Sequence, residues 1–256
     1  MEKRGQVTIY VIIAIVIVAV IVLVYLFYPR INTIVSGEFN PQNFLQNRLE
    51  DPLSTAKITL SQQGGYSVPE GFIKYENNHV KYLCYTSEYY KPCKVQQPLI
   101  KDNYEQEIQK LIQKDVEAAM QELKSQYERR GYGVSQTGSI KTSIEIVPDK
   151  IKVYIDSPLI VTKETSQTFD NFEVEYTSKM YFLLMTATSI IDFESTYGDS
   201  ETSLYIKYYP NLIIEKNKLD DGSKIYNVED VTTKESFTFA TRSLAWPGGL
   251  GLRENG

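Results

Sequence analysis

The fold turns on Ile140-Lys141-Thr142-Ser143-Ile144-Glu145-Ile146-Val147-Pro148-Asp149-Lys150-Ile151-Lys152-Val153-Tyr154-Ile155. Ile140, Thr142, Ile144 and Ile146 alternate with Lys141, Ser143 and Glu145. After the turn residues Pro148, Asp149 and Lys150 the alternation resumes at Ile151, Val153 and Ile155. Successive side chains of a strand point to opposite faces, so this pattern predicts an antiparallel hairpin buried on one side. Leu159-Ile160-Val161 and residues 172–176 extend the sheet across a polar linker, 162–168.

Working outward, helical periodicity flanks the hairpin on both sides. Upstream, Asp102 with Glu105 has the form of a capping box. It opens a helix in which Tyr104, Ile108, Leu111, Ile112, Val116, Ala119, Met120, Leu123 and Tyr127 share one stripe, ended by Gly131. Downstream, Ser178 starts a core helix through Met180, Leu183, Leu184, Ala187, Ile190 and Ile191 that stops before Gly198. Nearer the start, Asn40-Pro41 opens a third helical pattern through Leu45, Leu49, Leu53 and Leu60, where Pro52 predicts a kink or two short helices. Residues 72–75 and 80–85 read as a hairpin around Asn77-Asn78. Residues 204–209, 212–215, 224–228 and 237–240 read as further strands, with Asp221-Gly222 a tight turn. Mainly antiparallel sheet packed with two or three helices is the α+β class.

Residues 7–28 hold no charge and a single threonine, Thr8, among aliphatic and aromatic side chains. As a helix at about 1.5 Å per residue they reach about 33 Å, against a bilayer core of about 30 Å, which predicts a transmembrane helix and the lipid bilayer as a partner. Lys3 and Arg4 before it favour a cytoplasmic N-terminus and an extracytoplasmic remainder. The expected layout is a leader, 1–6; the span, 7–28; a linker, 29–40; an extracytoplasmic α+β domain, 41–246, as one core or as subdomains 41–130 and 131–246; and a loose tail, 247–256.

Lys3-Arg4-Gly5-Gln6 ahead of the apolar run resembles the class III leader of archaeal type IV pilins. The resemblance implies cleavage after Gly5, leaving Gln6 at the new N-terminus. Tyr10 departs from the acidic residue such subunits commonly carry at that place. With Gln63-Gly64-Gly65-Tyr66 and Phe239-Ala240-Thr241-Arg242-Ser243-Leu244-Ala245-Trp246-Pro247, the chain also resembles single-pass surface proteins of small-genome archaea, which implies an anchored extracytoplasmic protein and no particular activity.

Of the 27 Lys and Arg and 32 Asp and Glu, only Lys3, Arg4, Arg30 and Glu2 precede residue 31, so the remainder is acidic and nucleic acid is excluded as a partner. Cys84 and Cys93, the two cysteines, are expected as a disulfide closing a short loop in an oxidising compartment. Their spacing does not suit a zinc or CxxC redox site. No Gly-x-Ser-x-Gly elbow, His-Glu-x-x-His helix or phosphate-cradling Gly loop is present, and His79 is the one histidine. The string at Asn217-Lys218-Leu219-Asp220-Asp221-Gly222 fails as a calcium loop, with Leu219 at a ligand position. No catalytic, metal or cofactor residue is therefore expected. The sequence favours a non-enzymatic membrane-anchored cell-surface protein for adhesion, envelope organisation or partner binding, with a protein partner or self-association there. The alternatives are a pilin-like filament subunit processed after Gly5 and an anchored extracytoplasmic hydrolase.

Overall fold

The structure, a computed structural model, describes residues 16–18 and 39–246. Contacts divide the chain into two compact units, Met1–Pro41 and Gln42–Gly256. Residues 16–18 of the first unit form a helical turn exposed to solvent. Here the expected architecture is corrected. Among the described residues no helix is long and apolar enough to cross a membrane, so the transmembrane, single-pass reading of residues 7–28 does not stand. Apolar composition alone does not make a span, which needs about 20 residues of continuous helix. The rest of 7–28 lies outside the described residues, as do Lys3, Arg4, Gly5, Gln6 and the tail 247–256.

The second unit is α+β. β5 (Lys141–Val147) and β6 (Lys150–Thr162) form the hairpin, with Ile146 opposite Ile151, Ile144 opposite Val153 and Thr142 opposite Ile155. Its two-residue turn combines the fixed φ of Pro148 with a φ of +67° at Asp149, a residue that tolerates the left-handed region. β6 passes Ile155 through a bulge between Asp156 and Leu159, which keeps Ile151, Val153, Ile155, Leu159 and Val161 on one buried row. Each such side chain contributes about 1.5–3 kcal/mol relative to exposure. β7 (Ser166–Thr177) pairs along one edge of β6; β5 and β4 (Gly133–Gln136) lie in line along the other. The polar linker expected at 162–168 shrinks to a turn at 163–165, because Ser166 to Phe169 join the ladder.

The other sheet has the order β1-β2-β10-β9-β8, from β1 (Phe72–Tyr75), β2 (Asn78–Tyr85), β8 (Leu212–Lys218), β9 (Ser223–Asp230) and β10 (Ser236–Arg242); β3 (Lys94–Val95) pairs with β2. All pairs are antiparallel except β2 with β10. Strands from 72–95 thus share a sheet with strands from 212–242. Cys84 on β2 and Cys93 beside β3 are joined in a buried disulfide with Cα atoms 5.4 Å apart.

α2 (Ile100–Arg129) lays its buried stripe on β4 and β5. It begins two residues before the expected capping box, because buried Ile100 draws the first turn into the core. Glu105 instead accepts the Ile146 backbone N–H at 2.7 Å, tying the helix to the hairpin. α1 (Pro41–Gln62) is one helix with Pro52 inside it, so of the kink or two short helices expected the second alternative does not hold. Buried Leu45, Leu49, Leu53 and Leu60 on both sides of Pro52 offset its missing hydrogen bond. α1 is tied to its neighbours by polar contacts. The Tyr104 hydroxyl donates to the Lys57 carbonyl at 2.8 Å, Lys57 pairs with Glu235, and the Gln46 amide both donates to the Glu175 carbonyl and accepts from its N–H on β7.

α3 (Met180–Tyr197) touches strands of both sheets and α2. Its start is fixed from the β9–β10 turn, where the Glu235 carboxylate accepts from Ser178 Oγ at 2.9 Å and Lys179 N–H at 2.6 Å. Residues 204–209, expected as a strand, are instead α4 (Ser203–Tyr208). The alternation there leads to no sheet partner: α4 buries none of its residues, and Pro210 ends it.

Candidate functional site

α3 is apolar on two faces. Met180, Leu183, Leu184, Ala187, Ile190 and Ile191 face inward and are buried, while Phe182, Phe193 and Tyr197 remain exposed on the far side. Gly198, at φ +81°, stops the helix in the left-handed region and turns the chain back as α4. α4 and its end add Leu204, Tyr208 (73% exposed) and Tyr209. Two hollows of about 440 and 430 Å³ share a wall of Ser189, Tyr205, Tyr208 and Tyr209. The first is closed by Lys179, Phe182, Met185, Asn211 and Asp230, the second by Phe193, Ser200, Glu201 and Leu204.

The polar groups of this double trough divide into satisfied and free. Ser189 Oγ and Tyr205 OH bond each other at 2.8 Å. Asp230 Oδ1 accepts from the Thr232 and Thr233 N–H groups, and Lys179 is held by Asp149 at 2.6 Å. The hydroxyls of Tyr208 and Tyr209 make no hydrogen bond among the described residues, and buried Ser200 Oγ is likewise without a partner. Hydrogen bonds from Ser203 hold the Glu201 carboxyl below its ordinary range, so it is ionised at neutral pH.

Beneath the trough, α3 is bolted to β9 by charge. Glu194, with no exposed surface, shares the Lys224 ammonium through both oxygens at 2.9 Å and accepts from the Tyr226 hydroxyl. Lys224 also reaches the Gly198 carbonyl at 2.6 Å and Asp199 at 3.0 Å. Burial pushes the Glu194 carboxyl up against the opposing pull of Tyr226 and Lys224. Burial acts the same way on Asp199, but bonds from Lys216 and Lys224 overcome it and hold that carboxyl well below the usual range. A lysine in this position is a clamp for the helix end and the chain reversal that place α4.

Of the residues singled out from sequence, Cys84 and Cys93 form the disulfide, away from the trough, and Lys3, Arg4, Gly5 and Gln6 are outside the described residues. His79 stacks on Phe72 at 4.1 Å. Among the described residues no group of three His, Cys, Asp or Glu could hold a metal ion. Sequence reasoning missed the trough. Its signal was a second aromatic stripe, Phe182, Phe193 and Tyr197, opposite the core stripe of the same helix. Compared with protein-family models, curated proteins and solved structures, the chain matches none of them.

Proposed function

We propose that this is a non-enzymatic extracytoplasmic protein that binds a partner through the double trough on α3 and α4. One observation carries the reading: large aromatic side chains stay at the surface around two adjoining hollows, on a helix whose opposite face already fills the core. The exterior location is supported by the Cys84–Cys93 disulfide, since such bonds persist in oxidising compartments. Tyrosine suits an exposed binding surface because it joins a large apolar area to a polar tip at low entropic cost.

The test is binding of the purified full chain to envelope fragments from its own source, with Tyr208→Ala compared against Lys114→Ala on the exposed face of α2. Loss with Tyr208→Ala alone is the expected result. Equal binding by both variants overturns the reading, as does failure of a membrane-impermeant label to reach the protein on intact cells.

A further inference from the structure

This inference rests on the binding role just proposed and names the ligand. We propose that the double trough receives an extended, proline-rich segment of another protein in the polyproline II conformation, with a Lys or Arg beside its prolines. Three features of the trough select it.

The first is shape. Two hollows of nearly equal size share a wall of tyrosine rings, and the trough follows α3 from Phe182 to Phe193, about 16 Å at ~1.5 Å per residue. At ~3.1 Å per residue that length accepts about five residues of polyproline II helix. Prolyl rings on one side of such a helix would sit in the successive hollows, as in aromatic-lined grooves generally.

The second is the hydrogen-bond inventory. The free groups are three hydroxyls, of Tyr208, Tyr209 and Ser200, and the Asn211 amide, with Ser200 at 1% exposure and without a partner where it lines the second hollow. A proline-rich chain offers carbonyl oxygens and few N–H groups, so it suits hydroxyls that can donate. A buried hydroxyl left unpaired costs free energy, which an incoming carbonyl recovers. A sugar would ask instead for side-chain carboxylates or amides to hold neighbouring hydroxyls. The acids on the lining are engaged, Asp230 by Thr232 and Thr233 and Glu201 by the Ser203 N–H, which leaves the single amide of Asn211 rather than the paired acceptors a sugar needs.

The third is charge. Glu201 lines the second hollow and Asp230 the first, Lys179 is neutralised by Asp149, and the chain carries a net charge of −5. That field attracts a basic residue flanking the prolines and disfavours an acidic one.

The experiment is fluorescence anisotropy of the full chain with a labelled peptide of one Arg followed by prolines, against an Arg peptide of Gly and Ser and against a malto-oligosaccharide. The expected result is binding of the proline peptide only, weakened at least tenfold by Tyr208→Ala and severalfold by Ser200→Ala, with Glu201→Gln erasing the advantage of the Arg. Tyr208 is so exposed that its variant keeps the wild-type urea midpoint, which separates lost binding from lost folding. Proline and Gly-Ser peptides binding alike, or an unchanged affinity in Tyr208→Ala, overturns the inference. If Tyr208→Ala still abolishes binding to envelope fragments while the proline peptide is ignored or the oligosaccharide binds, the ligand assignment falls and the binding role stands. If neither assay responds to Tyr208→Ala, both fall.

Discussion

Lys224→Met tests whether charge fastens the trough to the core. The substitution removes the ammonium shared by both Glu194 oxygens and leaves a fully buried carboxylate with the Tyr226 hydroxyl. Stripping one partner from a buried pair costs about 3–5 kcal/mol, and the remaining hydroxyl places this case near ~3 kcal/mol. Asp199 keeps Lys216 and Lys218 and adds little to the loss. With a urea m-value of ~2 kcal/mol/M the midpoint falls by about 1.5 M, read by circular dichroism. The pH dependence has a definite sign. Burial already raises the Glu194 pKa against the pull of Lys224, and removing Lys224 raises it further. A carboxyl with a folded pKa above its unfolded value binds more protons in the fold, so stability falls as pH rises from the unfolded value through the folded one. The deficit of Lys224→Met is therefore largest near about pH 8 and shrinks toward about pH 5. Adding Glu194→Gln recovers about 2 kcal/mol at the higher pH by removing the stranded charge. A deficit below about 1 kcal/mol at the higher pH, or one that grows on acidification, refutes the reasoning.

Three further outcomes are expected. Reducing the disulfide, or replacing both cysteines by serine, lowers stability by about 2–3 kcal/mol for a separation of nine residues, and peptide maps differ by a Cys84–Cys93 link only without reductant. Glu235→Ala strips the acceptor from Ser178 and Lys179 and leaves Lys57 with only the Tyr176 hydroxyl and ring, at about 3 kcal/mol by urea unfolding, with Glu235→Gln milder because it still accepts at the start of α3. Gly222→Ala lowers the melting temperature more than Gly131→Ala. Both sit at positive φ, but a Cβ at Gly222 would lie 2.8 Å from the Ala245 Cα whereas Gly131 has open space, a difference of about 1–2 kcal/mol.

What could be read from sequence was what depends on local periodicity. The 140–155 alternation located the hairpin and its buried face, and the stripe from Tyr104 to Tyr127 located α2. Strand pairing across long separations left no such trace. Nothing near Tyr82 or Cys84 announces that Ala240 and Thr241 will lie beside them in parallel. Residues 204–209 show the limit from the other direction. Alternation marks a strand only where a neighbouring strand accepts its backbone, and α4 has none. The membrane-span reading of 7–28, drawn from apolar composition, length and flanking charge, is overturned as well. The trough escaped because core helices are judged by the stripe they bury. Phe182, Phe193 and Tyr197 stand on the face that such a judgement assigns to polar residues.

The parallel pairing of β2 with β10 also sets an order of events during synthesis. A chain emerging from its N-terminus presents β2 long before its central neighbour exists, and the bond from Cys93 N–H to Ser243 Oγ closes a separation of 150 residues. Contacts that distant are slow to form, and until they do an unpaired strand is open to wrong partners. The covalent loop from Cys84 to Cys93 needs only its own ten residues and is available at once. It can pin β3 along one edge of β2 and hold that strand extended, while the edge that β10 will take stays open until the remainder of the polypeptide arrives.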